Sequence, residues 1–304
     1  MSVPLSAAII GAGPAGIAAA IHLQRAGVDY CLFEGDEPGG LLRNANLVEN
    51  YPGFPGGITG LELAQRMWQQ AQALGVNFVR QDVSDLDYDA PLFHFRAGAE
   101  NVFARLVLVA AGTRAIPLPA VSLPAELQPR LLYEILPILH LSGLTIAIIG
   151  AGDLAFDYAL NLGRRNRVLI LNRSDQPRCL GLLRQRASAC PQIDYHPHTT
   201  LQKVEPGEKR PLTLTLRSPA GDWRFECDYL VGAIGRQPRL DCLAPRLLER
   251  RQELEQAGLL YFAGDVRKGW LRQAAIAAGD GLQAAMLIQA ALKNLSEPAA
   301  RENY

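Results

Sequence analysis

Residues 145–163 read TIAIIGAGDLAFDYALNLG: an apolar run, a glycine-rich turn, then a stretch of apolar and small residues suited to a helix. The run is short and rich in isoleucine, which predicts a buried strand. The turn, Gly150-x-Gly152-x-x-Ala155, predicts a backbone that can approach a pyrophosphate held at the helix N-terminus. One such turn is weak evidence, but the chain carries another. Residues 7–16 end in Gly11-x-Gly13-x-x-Gly16, followed by the helix-forming IAAAIHLQRAG and by DYCLFE, whose last residue is Glu34. Strand, glycine turn, helix, strand and acid make a dinucleotide-binding unit in which Glu34 takes the ribose hydroxyls. Two such units in 304 residues predict an α/β fold with two Rossmann-like dinucleotide-binding domains.

The two strand ends differ. RVLILN ends at Asn172 and is followed by Arg173, so no carboxylate stands where an NAD enzyme holds the 2′-hydroxyl. Arg173 with Arg178 suits the 2′-phosphate of NADP, which favours NADPH over NADH; the alternative is that both only solvate a turn. Pro14 and Ala15 make the first turn GxGPAG, a form that resembles FAD-binding flavoproteins. Residues 104–113 (ARLVLVAAGT) predict a strand entering a small-residue turn at Ala111 and Gly112, and residues 228–238 (DYLVGAIGRQP) a strand ending at Gly235. LLYFAGDV sets Gly264 and Asp265 after another strand, and a long helix opens near Arg272, Gln273 and Ala274. Asp265 there can bind a ribityl chain or a pyrophosphate-bound water, and the helix N-terminus can face flavin N1/O2; core packing is the plainer role for that helix. The candidate nucleotide contacts of the second unit are Gly150, Gly152, Asp153, Ala155, Arg173, Arg178 and Gly235.

Composition narrows the function. With 30 basic and 30 acidic residues the formal net charge is zero, which argues against nucleic acid as partner. No basic residue precedes the apolar N-terminus, and the most apolar later stretch, residues 274–292, is interrupted by Asp280 and Gly281, so a cytoplasmic protein without a membrane span is expected. The cysteines, Cys31, Cys179, Cys190, Cys227 and Cys242, form no CxxC and no zinc or iron–sulfur spacing, and His196 and His198 lack a third ligand nearby, so no metal site is expected.

Over nearly its whole length the chain resembles the low-molecular-weight thioredoxin reductase family. The resemblance rests on IIGAGPAG, LFEG, Gly39-Gly40, VENYPGFP at residues 48–55, AAGT, IGAGDLA, GAIGRQP and FAGDV…LRQAAIAAGDG. It implies an FAD domain split between residues 1–114 and 241–304, an inserted NAD(P)H domain at 115–240, and a homodimer. It also implies FAD contacts from Gly11, Gly13, Gly16, Glu34, Gly40, Asn50, Asp265 and Gln273, with Pro14, Ala15, Ala111, Gly112, Gly264, Arg272 and Ala274 beside them. One departure is decisive. In thioredoxin reductases a CxxC begins seventeen residues before the first glycine of the second turn, and that count lands here on Tyr133-Glu134-Ile135-Leu136. The other known disulfide position, after Gly39-Gly40, is also free of cysteine. Thiol–disulfide exchange needs a sulfur beside the flavin. The chain is also similar to the thioredoxin-reductase-like ferredoxin–NADP reductases, which have a Tyr at the place of Tyr133 and an aromatic ring over the flavin from a C-terminal extension; here either Tyr304 takes that part or the tail is simply frayed, and the frayed tail is favoured.

The expected function is therefore an FAD-dependent NAD(P)H oxidoreductase without a redox disulfide, feeding an external acceptor such as ferredoxin or another iron–sulfur protein. No catalytic acid or base is required for hydride transfer, and Tyr133, His140 and Glu49 are weak candidates only. Arg164, Arg165, Arg167, Arg173, Arg178, Arg184 and Arg186 could meet an acidic partner or form an ordinary solvated face. Two alternatives remain: a flavin enzyme acting directly on a small disulfide or dithiol, a quinone or oxygen, and a non-catalytic FAD-binding sensor or scaffold.

Overall fold

The computed structural model describes residues 3–119, 123–267 and 269–296; Tyr304, the candidate for stacking on a flavin, lies outside them. The chain divides into two compact units. The first is Met1–Arg43, Val48–Arg114 and Gln237–Tyr304, and the second is Asn44–Leu47 with Ala115–Arg236.

In chain order the first unit opens with β1 (Leu5–Ile10), α1 (Pro14–Arg25), β2 (Tyr30–Glu34) and α2 (Gly60–Ala73). Then come β3 (Val79–Arg80), which pairs parallel with β2, and an antiparallel meander of β4 (Val83–Asp89), β5 (Leu92–Ala97) and β6 (Glu100–Val109). The short strand β7 (Thr113–Ala115) leads away, and the second unit runs through β8 (Leu131–Leu132), β9 (Thr145–Ile149), α3 (Asp153–Leu162), β10 (Arg167–Leu171), α4 (Gly181–Ser188) and β11 (Ile193–His196). Next come β12 (Thr200–Pro206), β13 (Leu212–Ser218), β14 (Gly221–Cys227) and β15 (Tyr229–Gly232), before β16 (Arg236–Pro238) leads back. The chain finishes with α5 (Pro245–Glu249), α6 (Arg251–Gln256), β17 (Leu260–Phe262) and α7 (Ala274–Ser296).

The first unit is a seven-stranded sheet in the order β3-β2-β1-β6-β5-β4, with β17 also paired to β6. One edge of the ten-residue β6 serves two neighbours: its first half pairs antiparallel with β5 and its last three residues parallel with β17. Alternate residues of β1 feed two cores, as strand geometry requires. Ala7 and Ile9 lie with Ile17, Leu23, Ala285 and Ile288 beneath α1 and α7, whereas Ala8 and Ile10 lie with Phe93, Phe95, Leu247 and Phe262 on the other face. Small residues let α1 and α7 come close: a Cβ at Gly281 would sit 1.9 Å from the carbonyl oxygen of Ala15. Asp280 and Gly281 interrupt the apolar run within the long helix expected from residue 274 onward. α7 is long and apolar enough to cross a membrane by length and composition; Ala277, Ala284, Ala285 and Ile288 set one face of it in the first unit's core, while Leu282, Met286, Leu287 and Leu295 are exposed on it.

The second unit has a parallel sheet, β11-β10-β9-β15-β8, and the antiparallel sheet β12-β13-β14. The alternation Leu212-x-Leu214-x-Leu216 seats β13 on Ala147, Leu169, Leu171 and Leu230. The units' bounds differ from the expected ones in two ways. The return falls at Arg236/Gln237 rather than after residue 240, since Arg239 N–H donates to Gly112 O within the first unit at 3.0 Å. And residues 44–47 belong to the second unit, held by bonds described below.

Candidate functional site

At the end of β1 the chain turns through Gly11 with φ +101°, and a Cβ there would lie 2.5 Å from Ala110 O. Gly16 is tighter still, since its Cβ would lie 1.8 Å from Gly11 O. These two glycines serve the turn itself. Gly13 is different: it has φ −72°, and no protein atom comes within 4 Å of the place of its Cβ. It is the N-cap of α1 and supplies no side-chain cap, so the first amides of a twelve-residue helix, with Pro14 and Ala15 in its first turn, have no cap from that side chain. An anion approaching over Gly13 meets those amides and the positive end of the helix dipole.

The rest of this cradle closes around the turn. A Cβ on Gly40 would stand 3.3 Å from the Cα of Gly13, and Gly39 N–H donates to Ala12 O at 2.7 Å. Glu34 ends β2, and its carboxylate accepts from Ala12 N–H at 2.7 Å and Asp36 N–H at 3.0 Å, which fixes the acid beside the turn. A Cβ on Gly264, at φ +75°, would stand 3.0 Å from the Ala15 Cβ, and the Gly264 N–H donates to Asp280 Oδ2 at 3.3 Å. Asp280 and Gly281 thus support the cradle, and only their packing against α1 and Gly264 reveals it. Asp265 follows in a short 3-10 turn. Asn50 Nδ2 donates to Gln273 Oε1 at 2.8 Å, which joins the VENYPGFP loop to the residues just before Ala274, where α7 starts. Arg272 lies in that same turn, its N–H donating to Trp270 O at 2.9 Å. Ala111 and Gly112, at φ +67°, follow β6. The cradle's open glycine, uncapped helix and flanking acid suit a dinucleotide such as FAD.

The second unit repeats the arrangement. Gly150 has φ +129° and would meet Ala233 O at 2.2 Å, as Gly11 meets Ala110 O. Gly152 caps α3 without a side-chain bond, and its Cβ would meet nothing nearer than Arg178 O at 3.8 Å. The third position tolerates Ala155, fully buried, so this turn is roomier than the first. Residues 178–180 run alongside: Arg178 N–H donates to Ala151 O at 2.8 Å and Leu180 N–H to Asp153 Oδ1 at 2.7 Å. Asp153 therefore positions this strap. Gly235, at φ +144°, is held by Ile116 N–H donating to its carbonyl at 3.0 Å.

Asn172, at the end of β10, is buried and bonded within its own turn, donating to Gln176 O and Tyr195 OH and accepting from Ser174 N–H. Arg173 and Arg178 are exposed around it. Of the other arginines expected to form one basic face, Arg164 donates to Asn46 Oδ1 at 2.6 Å and Arg167 pairs with Asp194 at 3.1 Å, so both have internal partners. His196 and His198 also part company: one stacks near Trp223 and the other lies 3.4 Å from Asp175.

The segment at the absent disulfide is ordered by other means. Tyr133 OH accepts from Leu118 N–H at 2.9 Å, and its ring covers Gly232, whose Cβ would lie 2.5 Å from it. Tyr133 thus bonds and packs within the second unit. Asn44 Oδ1, in a side chain only 2% exposed as a residue, accepts from the N–H groups of both Ile135 and Leu136 at 2.9 Å. Asp157 on α3 accepts from Asn46 N–H at 2.9 Å, and burial pushes its carboxyl up to about 6, against the lowering effect of the Asn46 and Leu47 amides and Arg164. Asn44 and Asp157 were not singled out from sequence. His140 and Glu49 are exposed. All five cysteines are free, and burial raises the thiols of Cys31 and Cys242 to about 11 and of Cys227 to about 12, with Cys179 also raised. These four are poor thiolates.

Known proteins share this architecture. Thioredoxin reductase of Bacillus subtilis (strain 168) is 29% identical over 305 residues, covering 95% of each chain. That of Mycolicibacterium smegmatis is 31% identical over 306 residues, covering 91% of this chain and 93% of its own. Among solved structures, Lactococcus lactis thioredoxin reductase superposes with a TM-score of 0.82 at 23% identity, covering 95% of this chain and 99% of its own. The structure of T. acidophilum thioredoxin reductase gives 0.81 at 22% identity, covering 97% and 100%. The family model described as pyridine nucleotide-disulphide oxidoreductase matches residues 5–281, and the chain belongs to that family.

Proposed function

We propose that this chain is an FAD-dependent NADPH oxidoreductase with no redox disulfide of its own, which passes electrons to an external one-electron acceptor, an iron–sulfur protein of the ferredoxin kind. The observation that carries the reading is the segment from Tyr133 to Leu136. Where relatives by resemblance have their CxxC, this chain has an aromatic ring seated on Gly232 and two amides bound by Asn44, and no sulfur. Bound FAD would supply hydride acceptance and release of electrons one at a time. Gly13, Gly40 and the first amides of α1 would hold its pyrophosphate, Glu34 its ribose, and Asp265 with the start of α7 the far end. Gly152 and the first amides of α3 would hold the NADPH pyrophosphate, with Arg173 and Arg178 on the 2′-phosphate. The protein's work is to bind, align and exclude water, and no side chain moves a proton. The same reading makes it a homodimer, as the family resemblance implies, working in the cytoplasm.

Anaerobic mixing of the flavin-loaded protein with NADPH tests the proposal: the flavin band should bleach rapidly, and more slowly with NADH. Failure to bleach with either nucleotide would leave only a sensor or scaffold. A disulfide acceptor is the second reading, favoured by the name of the family and of the relatives compared above. Such a substrate would have to react directly at the flavin. Steady turnover of oxidised thioredoxin or a small disulfide, without turnover of ferredoxin, would replace the first reading with the second.

A further inference from the structure

In the parallel sheet of the second unit the strands end side by side. β9 ends at Ile149, level with Gly232 of β15, and Val231 is level with Leu132, the end of β8. A dinucleotide lies across such strand ends, with its pyrophosphate at the N-terminus of the helix after the first strand. Here β9 leads through α3 to β10, whose end is followed by Arg173, so the adenosine half would lie on the β10 side. The nicotinamide half would then lie over β15 and β8, about one or two strand spacings of roughly 4.8 Å further along. The residues there are those that follow the two strands: residues 233–236 after β15, and Tyr133 and Glu134 after β8. Ala233 N–H donates to Ile149 O at 2.8 Å, which holds the first of these runs beside the glycine turn. Arg236 Nη2 donates to Glu134 Oε1 at 3.3 Å. The Arg236 side chain is 9% exposed and that of Glu134 46%, so a nearly buried cation anchors a carboxylate that solvent reaches. Ile234 is exposed two residues before Arg236, and Ile116, also exposed, donates its N–H to Gly235 O at 3.0 Å. All of these residues belong to the second unit. A nicotinamide asks for the same two things, apolar surface for its ring and an acceptor for its carboxamide NH2.

We propose that Glu134 accepts the carboxamide NH2 of a bound nicotinamide nucleotide and that Arg236 is the residue that positions Glu134 to do so. The proposal rests on the NADPH reading above and deepens it, since it names what recognises the end of the nucleotide opposite to the 2′-phosphate. An ionised carboxylate only accepts hydrogen bonds, so it takes an amide NH2 and repels a carboxylate put in the same place. The nearly buried guanidinium fixes the Glu134 oxygens and balances their charge, which a loose surface carboxylate would lack. A bond to the ring substituent sets the rotation of the ring, and that rotation decides where the hydride points.

The test is calorimetric titration of the full-length, flavin-loaded protein with oxidised nucleotides, which bind without turnover. Three ligands are compared: NADP⁺, 2′-phospho-ADP-ribose, which is NADP⁺ without its nicotinamide, and the nicotinic acid analogue of NADP⁺, which has a carboxylate for the carboxamide. Glu134→Ala should weaken NADP⁺ on the order of tenfold and leave 2′-phospho-ADP-ribose within about twofold. The wild type should prefer NADP⁺ to the acid analogue by at least about tenfold, and Glu134→Ala should erase that preference. Glu134→Gln keeps an acceptor oxygen and should restore most of the NADP⁺ affinity. Arg236→Lys keeps the charge without the fork and should weaken NADP⁺ severalfold, again sparing 2′-phospho-ADP-ribose. An amide-over-acid preference that survives in Glu134→Ala overturns the proposal and leaves the NADPH reading standing. Equal weakening of NADP⁺ and 2′-phospho-ADP-ribose makes the pair a purely structural one and overturns the proposal too. A wild type that binds NAD⁺ in place of NADP⁺ overturns the 2′-phosphate reading alone, and the same comparison with NAD⁺, ADP-ribose and the nicotinic acid analogue of NAD⁺ then decides the proposal. A wild type that binds no nicotinamide nucleotide overturns both.

Discussion

Gly13 and Gly16 are both turn glycines three residues apart, yet the structure gives them different physical duties. Gly16 has no room for a methyl group because Gly11 O already occupies the space, whereas Gly13 faces an open side and has an ordinary φ. Gly13→Ala should therefore fold normally and lose FAD affinity by at least about tenfold, roughly 1.4 kcal/mol. Gly16→Ala should fail to fold. Circular dichroism with flavin-fluorescence titration of the apoprotein separates the two, and equal FAD affinity for Gly13→Ala would show that the open side faces nothing. Asp157 offers a second residue-level test. Its native carboxyl titrates near 6, above the ordinary 3.8, because burial disfavours the charge. Below the ordinary value both folded and unfolded states are protonated. Between 3.8 and about 6 the native state alone keeps the proton, so stability falls as pH rises through that window and then levels off. Asp157→Asn should remove this slope, gaining up to about 3 kcal/mol over wild type at pH 7.5 and nothing near pH 4. Melting curves of both proteins across that range decide it; parallel curves would mean that the carboxyl is not perturbed.

At the scale of elements, the glycine turns were legible because each is a contiguous pattern whose partners lie within one strand–helix step. The same holds for β13, whose leucine alternation states its buried face. The β4–β5 hairpin was not singled out: VSDLDYD mixes acids with apolar residues, and its burial comes from Leu86 bonding to the remote Cys242 and Ala244. The long helix α7 was expected, but why Asp280 and Gly281 stand inside it shows only once α1 is placed against them. The turn after β10 is where element geometry makes a functional claim. Asn172 is bonded to its own loop and to Tyr195, while Arg173 and Arg178 are exposed; on the proposed reading those two arginines discriminate nucleotides. Arg173→Ala with Arg178→Ala should raise the KM for NADPH on the order of tenfold or more and leave that for NADH within about twofold. A pair of unchanged NADPH and NADH values in stopped-flow flavin reduction would return these arginines to a solvating role.

For the whole molecule, the family resemblance implied a departure after residue 114, where the two units also divide. The excursion at residues 44–47 was not legible. Asn44 meets its amide partners 91 and 92 residues later, and a bond of that span leaves no local periodicity to read. Asn44→Ala would strand two amide donors at once, costing about 1–3 kcal/mol or more in the second unit. Its first melting transition should drop by several degrees while the FAD content of the purified protein stays at wild-type level; loss of flavin with an unchanged melting curve would contradict this.

The chain passes between its two units four times rather than twice, at 43/44, 47/48, 114/115 and 236/237. An insertion entered and left once can be lifted out of a gene as a single cassette and exchanged for a relative's. Here the cassette from 115 to 236 is incomplete by four codons located far upstream. A chimera made with breakpoints at the obvious hinges would give the incoming unit a foreign peptide at the places of Asn44 and Asn46, opposite whatever stands at Asp157 and Arg164. Recombination in this lineage, natural or in the laboratory, is thus expected to succeed only when both stretches travel together, and the four upstream residues should change in step with α3.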